Sequence, residues 1–132
     1  MCIRDSTEGK LRYQEVGGFE GFFQAIVSGM LGNWLVGMAA FLAIMGRTVI
    51  GKFLPVFVMV TAFVSFGFLH SPANMAYFSI HGLTGEAAPW GDAFLWSILP
   101  AAIGNVFGAF FLVALPFWYA ATRLDPKETT NG

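Results

Sequence analysis

The chain has 132 residues, of which 11% are charged and 56% hydrophobic, and its mean hydropathy is +0.65. Soluble domains carry roughly 25% charged residues, so this composition excludes an ordinary soluble fold, and a net charge of -1 leaves no basic footprint for nucleic acid. The single cysteine, Cys2, excludes an internal disulfide and a multi-cysteine metal site, and no motif asks for a cofactor.

Residues 1–20 read as an amino-terminal connector of mixed charge, and Met1 to Ser6 reads as foreign to the rest of the chain, an artefact excluded from fold reasoning. No secretory signal is readable, because the first apolar run starts only near Phe19. Residues 21–124 form the membrane domain. Its first span is expected at 21–46, where no side chain is charged, a run longer than the roughly 20 residues that one crossing needs. The second, 53–83, also lacks Asp, Glu, Lys and Arg. As one straight helix it would reach roughly 46 Å against a hydrocarbon core of roughly 30 Å, so it must break, tilt or both. The third, 93–122, spans with room for tilt and carries Pro100 in its first turns and Pro116 near its end. Residues 125–132 are the tail.

Arg47 and Lys52 lie between the first two spans, and Arg123 and Lys127 come after the third. The positive-inside rule places that side, with the carboxy terminus, in the cytoplasm. The opposite connection, Gly82 to Asp92, carries Glu86 and Asp92 without a cation and should face outward. Trp90 and Trp96 at one edge, with Trp118 and Tyr119 at the other, fit interfacial belts, or else are packing residues.

The middle span is interrupted at His70-Ser71-Pro72-Ala73-Asn74. Pro72 has no backbone N–H and drives Ser71 toward extended geometry, so the arriving helix should stop near Leu69 or His70. Ser71 as N-cap and Pro72 at the first helical position can then start a new half-helix whose positive end favours an anion. Broken helices of this kind line cavities in transporters. His70 beside that end could donate to an anion or exchange a proton with it, since imidazole ordinarily titrates near pH ~6.5. The competing reading is a proline kink whose His70 and Asn74 merely bridge to other helices. His81, at the outer end, reads as a solvated interfacial histidine. Gly29, Asn33 and Gly37 recur at i, i+4, i+8, and Gly104 and Gly108 bracket Asn105. Small residues bring helices close, and each asparagine then either joins helices or lines a pore. Phe63, two turns before His70, is either a hydrophobic gate or a packed or lipid-facing residue. No paired carboxylates or metal-ligand cluster lies within the spans, which argues against an enzyme.

Three ordered stretches, Gly29-Met30-Leu31-Gly32-Asn33-Trp34-Leu35-Val36, Phe68-Leu69-His70-Ser71-Pro72-Ala73-Asn74-Met75 and Ile103-Gly104-Asn105-Val106-Phe107-Gly108, resemble the formate/nitrite transporter family. The resemblance covers nearly all of residues 19–122. It implies an all-α, aquaporin-like membrane fold in which this chain is the second three-helix inverted repeat, with a broken middle helix. It further implies a homopentamer in the cell (inner) membrane that passes small monovalent anions such as formate or nitrite, with protons. His70 would be the central pore histidine, Asn33 and Asn105 its polar neighbours, and Phe63 part of a constriction, while Ser71 and Asn74 of the interruption are counted with them as candidate pore residues. Two departures stand out. Leu69 occupies a position where many members have an acid. Gly17 falls, by gapless counting from Asn33, where many have a lysine, since Lys10 and Arg12 lie too far upstream. These departures favour the alternative of a neutral-solute or water channel on the same scaffold. The first repeat is absent from this sequence, so the chain is expected to be a fragment that does not conduct by itself.

Overall fold

The computed structural model describes residues 3–84 and 89–124, with side chains described from Glu8 onward. Helices α1 (Ile3–Val16), α2 (Gly18–Met45), α3 (Val49–Phe66) and α4 (Ser71–Leu83) are followed by α5 (Trp90–Ala93), α6 (Leu99–Phe107) and α7 (Leu115–Leu124). The last three run into one another through π turns at Phe94–Ile98 and Gly108–Ala114, forming a single rod. Three helical runs are long and apolar enough to cross a membrane: Gly18–Met45, Val49–Phe66 and Trp90–Arg123.

Two differences from the sequence reading stand out. The first is the segment expected as a connector, which is helical from Ile3 to Val16. It folds back at Gly17 and Gly18, both at positive φ (69° and 57°), and packs on α2, α4 and the start of the last rod. The second lies in the middle run. Helix α3 begins at Val49, where the Thr48 hydroxyl accepts the Gly51 N–H at 3.0 Å, and it stops at Phe66 instead of near Leu69. Gly67 causes the early stop. At φ 64°, ψ 29° its N–H bonds Val64 O and the Phe68 N–H bonds Phe63 O, the paired closure of a left-handed glycine C-cap.

Glycine lets the elements pack at backbone distance. A Cβ on Gly32 would lie 2.5 Å from Leu69 O, and one on Gly29 would lie 2.8 Å from the Ala101 Cα. Helix α2 is therefore the central post, with α3 on one side and α6 on the other. Further along, Phe41 of α2 meets Phe117 of α7 with ring centroids 3.9 Å apart. Arg47, Lys52 and Arg123 thus gather at one end of the bundle, and Asp92 lies at the other. Trp90, Trp118 and Tyr119 are exposed near those ends. Glu86, Lys127 and Cys2 lie outside the described residues, as does the segment expected as a tail.

Pro100 and Pro116 do not interrupt the last rod. A helical proline lacks an N–H and presses on the carbonyl four residues earlier, and each of these comes just after a π turn that widens the backbone there. Helix α4 buries one face, Asn74, Phe78 and His81. His81 is 7% exposed, which corrects the expectation of a solvated histidine. Its spacing from Asn74 and Phe78 places it on the buried stripe, and the return of α1 across α4 covers that face.

Candidate functional site

Four residues, Gly67 to His70, separate α3 from α4, and their backbone groups must find partners away from water. Side chains supply them. Lys10 Nζ donates to Phe68 O at 2.9 Å, Arg12 Nη2 donates to Gly67 O at 3.3 Å, and the Leu69 N–H donates to Ser28 Oγ at 3.1 Å. The break is therefore held by α1 on one side and α2 on the other.

The N-cap of α4 is His70, in an extended conformation (φ -146°, ψ 118°), with Ser71 and Pro72 inside the first turn. This shifts the expected cap by one residue, because the Ser71 hydroxyl is engaged elsewhere. With the Asn105 amide oriented to satisfy all its neighbours, Nδ2 donates to Gly29 O and Ala101 O, both at 3.0 Å. Its Oδ1 then accepts the Ser71 N–H at 3.2 Å and the Ser71 O–H at 2.9 Å. Asn33 Nδ2 donates to the Asn105 backbone carbonyl at 2.8 Å. Asn33, Asn105 and Ser71 thus form one chain from α2 through α6 to α4. One N-terminal amide of α4 is taken by Asn105 and Pro72 has none, so the positive end is partly closed by the protein itself.

Asn74 departs from this group. It is 0% exposed and its Nδ2 donates to Ser97 Oγ at 3.0 Å in the π turn of the last rod. Its Oδ1 finds no partner among the described residues. Asn74 therefore joins α4 to the last rod.

Phe63 lies against His70, centroids 6.0 Å apart and rings at 82°, and is 7% exposed. The contact is made across the break, since α3 has ended at Phe66 and His70 is extended, so helical spacing does not produce it. Sequence reasoning missed Lys10. Its ammonium lies 5.6 Å from the centroid of Phe63, the ring that also meets His70, and 5.6 Å from that of Tyr77. Counting without gaps left Gly17 in the lysine position, but the turn at Gly17 brings Lys10 back to the break. Helix α1 lies outside the three spans, and burial, then the Arg12 guanidinium, lower the Lys10 pKa from 10.5 to about 8.

Leu69 is fully buried, clustered with Tyr13, Ala25 and Ala101. A residue at this position faces the core behind the break, and leucine there is a packing residue. A groove of about 440 Å³ opens on that same rear side, lined mainly by Phe23, Val27, Leu31 and Phe68 with Gln24 and Ser28. It does not include His70.

The family model described as formate/nitrite transporter matches residues 7–119. A probable formate transporter from Methanothermobacter thermautotrophicus is 37% identical over 87 residues, covering 66% of this chain and 31% of that protein. The nitrite transporter NirC of Salmonella typhimurium is 32% identical over 102 residues, covering 74% of this chain and 36% of its own length. The formate channel FocA of Escherichia coli is 28% identical over 120 residues, with 77% and 42% covered. No solved structure gives a significant match. The chain therefore spans between 31% and 42% of the length of these relatives. It belongs to the formate/nitrite transporter family, whose members are transporters or channels and not enzymes, and it is a multi-pass membrane protein.

Proposed function

We propose that this chain forms one wall of a pore for small monovalent anions such as formate or nitrite, with His70 at its centre and Lys10 as the resident positive charge. The carrying observation is the arrangement at the break, where Phe63 touches both the His70 ring and the Lys10 ammonium. A cation held beside a hydrophobic ring in a low-dielectric setting attracts an anion far more strongly than one in water. Phe63 would act as the constriction, and His70 would donate a hydrogen bond or a proton to the passing ion. Asn33, Asn105 and Ser71 would hold the half-helix in place behind it, and Asn74 would fix α4 to the last rod.

On this reading the three spans are one of two inverted repeats, and the facing wall comes from a further segment of the whole protein. Assembly would be a homopentamer in the cell (inner) membrane, with the end bearing Arg47, Lys52 and Arg123 in the cytoplasm. The position of Lys10 also removes one ground for a neutral-solute pore, since the cation that Gly17 lacks is supplied from α1.

The test joins this chain to the amino-terminal half of a relative such as the formate channel of Escherichia coli, in proteoliposomes. Formate and nitrite flux is expected in the wild type and is expected to fall at least tenfold in His70→Ala. Equal flux in both would remove His70 from the mechanism, and swelling in osmotic gradients without anion flux would point to a neutral-solute pore. Below pH about 8 Lys10 is a cation, and above it the charge is lost. Anion uptake should therefore decline as the pH rises through that value, and Lys10→Met should abolish the step.

A further inference from the structure

Lys10 is 8% exposed, yet its ammonium has to be compensated on every side. One N–H reaches Phe68 O at 2.9 Å. Beyond that carbonyl, two aromatic rings stand at the same distance, Phe63 of α3 and Tyr77 of α4, each with its centroid 5.6 Å from Nζ. A cation within about 6 Å of an aromatic centroid is held by the ring quadrupole, most strongly where water is excluded. Tyr77 lies in the second turn of α4, and its ring reaches the same ammonium as Phe63 of α3.

We propose that Tyr77 is a positioning residue for Lys10, its ring closing, with Phe63 and the Phe68 carbonyl, a three-sided cage that fixes the ammonium at the helix break. The proposal deepens the reading of the break as an anion site. Three separate helices meet at one charge, and the cage determines how far that charge lies from His70. The groups facing the ammonium are Arg12 on its own helix, His70 at the break and the Tyr77 phenol on α4. The Arg12 guanidinium disfavours a second positive charge beside it, which is why the ring faces matter.

The test reads Lys10 itself, not transport. The chain contains three lysines, Lys10, Lys52 and Lys127. In lipid nanodiscs, nitrogen-15 labelled lysine gives a titration curve for each, and Lys10→Arg identifies the signal of interest. Tyr77→Phe keeps the ring face and is expected to leave the Lys10 midpoint unchanged. Tyr77→Leu removes the face and should lower the protonation constant about threefold or more. If the leucine variant does not fold, phenylalanine at position 77 carrying one, two or three ring fluorines keeps the shape while draining the quadrupole. A stepwise fall of the midpoint is then expected. An unchanged midpoint across the fluorinated series, or a fall in Tyr77→Phe as large as in Tyr77→Leu, would overturn the cage. Absence of anion flux in the joined protein would defeat the proposed function and leave this titration untouched.

Discussion

The middle run and the last rod both contain prolines, but only the middle run comes apart. Pro100 and Pro116 each come just after a π turn that makes room for the ring and lets the helix continue. Pro72 stands in the first turn of a helix already separated from its predecessor by four residues. What separates them is Gly67, whose left-handed conformation closes α3, together with four side chains that take up the exposed backbone: Lys10, Arg12, Ser28 and Asn105. A proline permits an interruption inside a membrane. A glycine and a set of polar partners are needed to maintain one.

The largest expected effect falls on the packing that both runs share. A Cβ at Gly104 would collide with the Ile26 carbonyl and lie 2.7 Å from the Met30 nitrogen, both backbone atoms that cannot yield. Gly104→Leu should cost more than about 4 kcal/mol and abolish a monodisperse protein in detergent. A well-behaved variant with an unchanged melting temperature would show that α2 and α6 are not in backbone contact. Asn105→Leu comes next. It strands the Ser71 N–H and deprives the Ser71 hydroxyl of its acceptor, and should destabilise by about 2–4 kcal/mol in thermal melts. A loss below about 1 kcal/mol would mean that the half-helix needs no cap from α6.

Gly67→Ala forces a side chain into the left-handed region and toward Arg12 Nη1, 3.3 Å from the added carbon, at a cost of about 1–2 kcal/mol. Amide exchange at Phe68 and Leu69 should accelerate with it, and unaltered exchange would place the stop elsewhere. The smallest effect belongs to the residue most conspicuous in the sequence. Pro72→Ala should change stability by less than about 1 kcal/mol and leave α3 and α4 separate, as spin-label distances across the break would report. Fusion into one continuous helix would reverse the comparison and make the proline decisive.

The three spans were legible because 26 uncharged residues, or an overlong apolar run, admit few alternatives in a bilayer. Phe63 and His70 do meet, but across the break, where the helical spacing that suggested the pairing no longer holds. The position of the stop was not, because Pro72 announces itself by chemistry while Gly67 acts only through a dihedral angle that another glycine need not adopt. Gly32, within α2, is helical and serves close packing instead. Lys10 was illegible for a different reason. Its contact with Phe68 bridges 58 residues and depends on α1 turning back at Gly17, so counting along the chain could not reach it. Asn74 and His81 carry the same lesson in reverse. Polar side chains in an apolar run mark either a pore or a helix seam, and in α4 the seam is the face that meets the last rod and α1.

The two π turns in the last rod have an effect beyond sparing the prolines. Each inserts about one extra residue into its turn and so rotates everything after it by roughly 100° about the helix axis. The nine residues Leu99–Phe107, which present Asn105 to Ser71, lie between the two rotations. Their azimuth is thereby offset from that of the ends, where Phe94 and Trp118 are exposed. A single-residue insertion or deletion in Leu99–Phe107 itself would swing Asn105 off its partners.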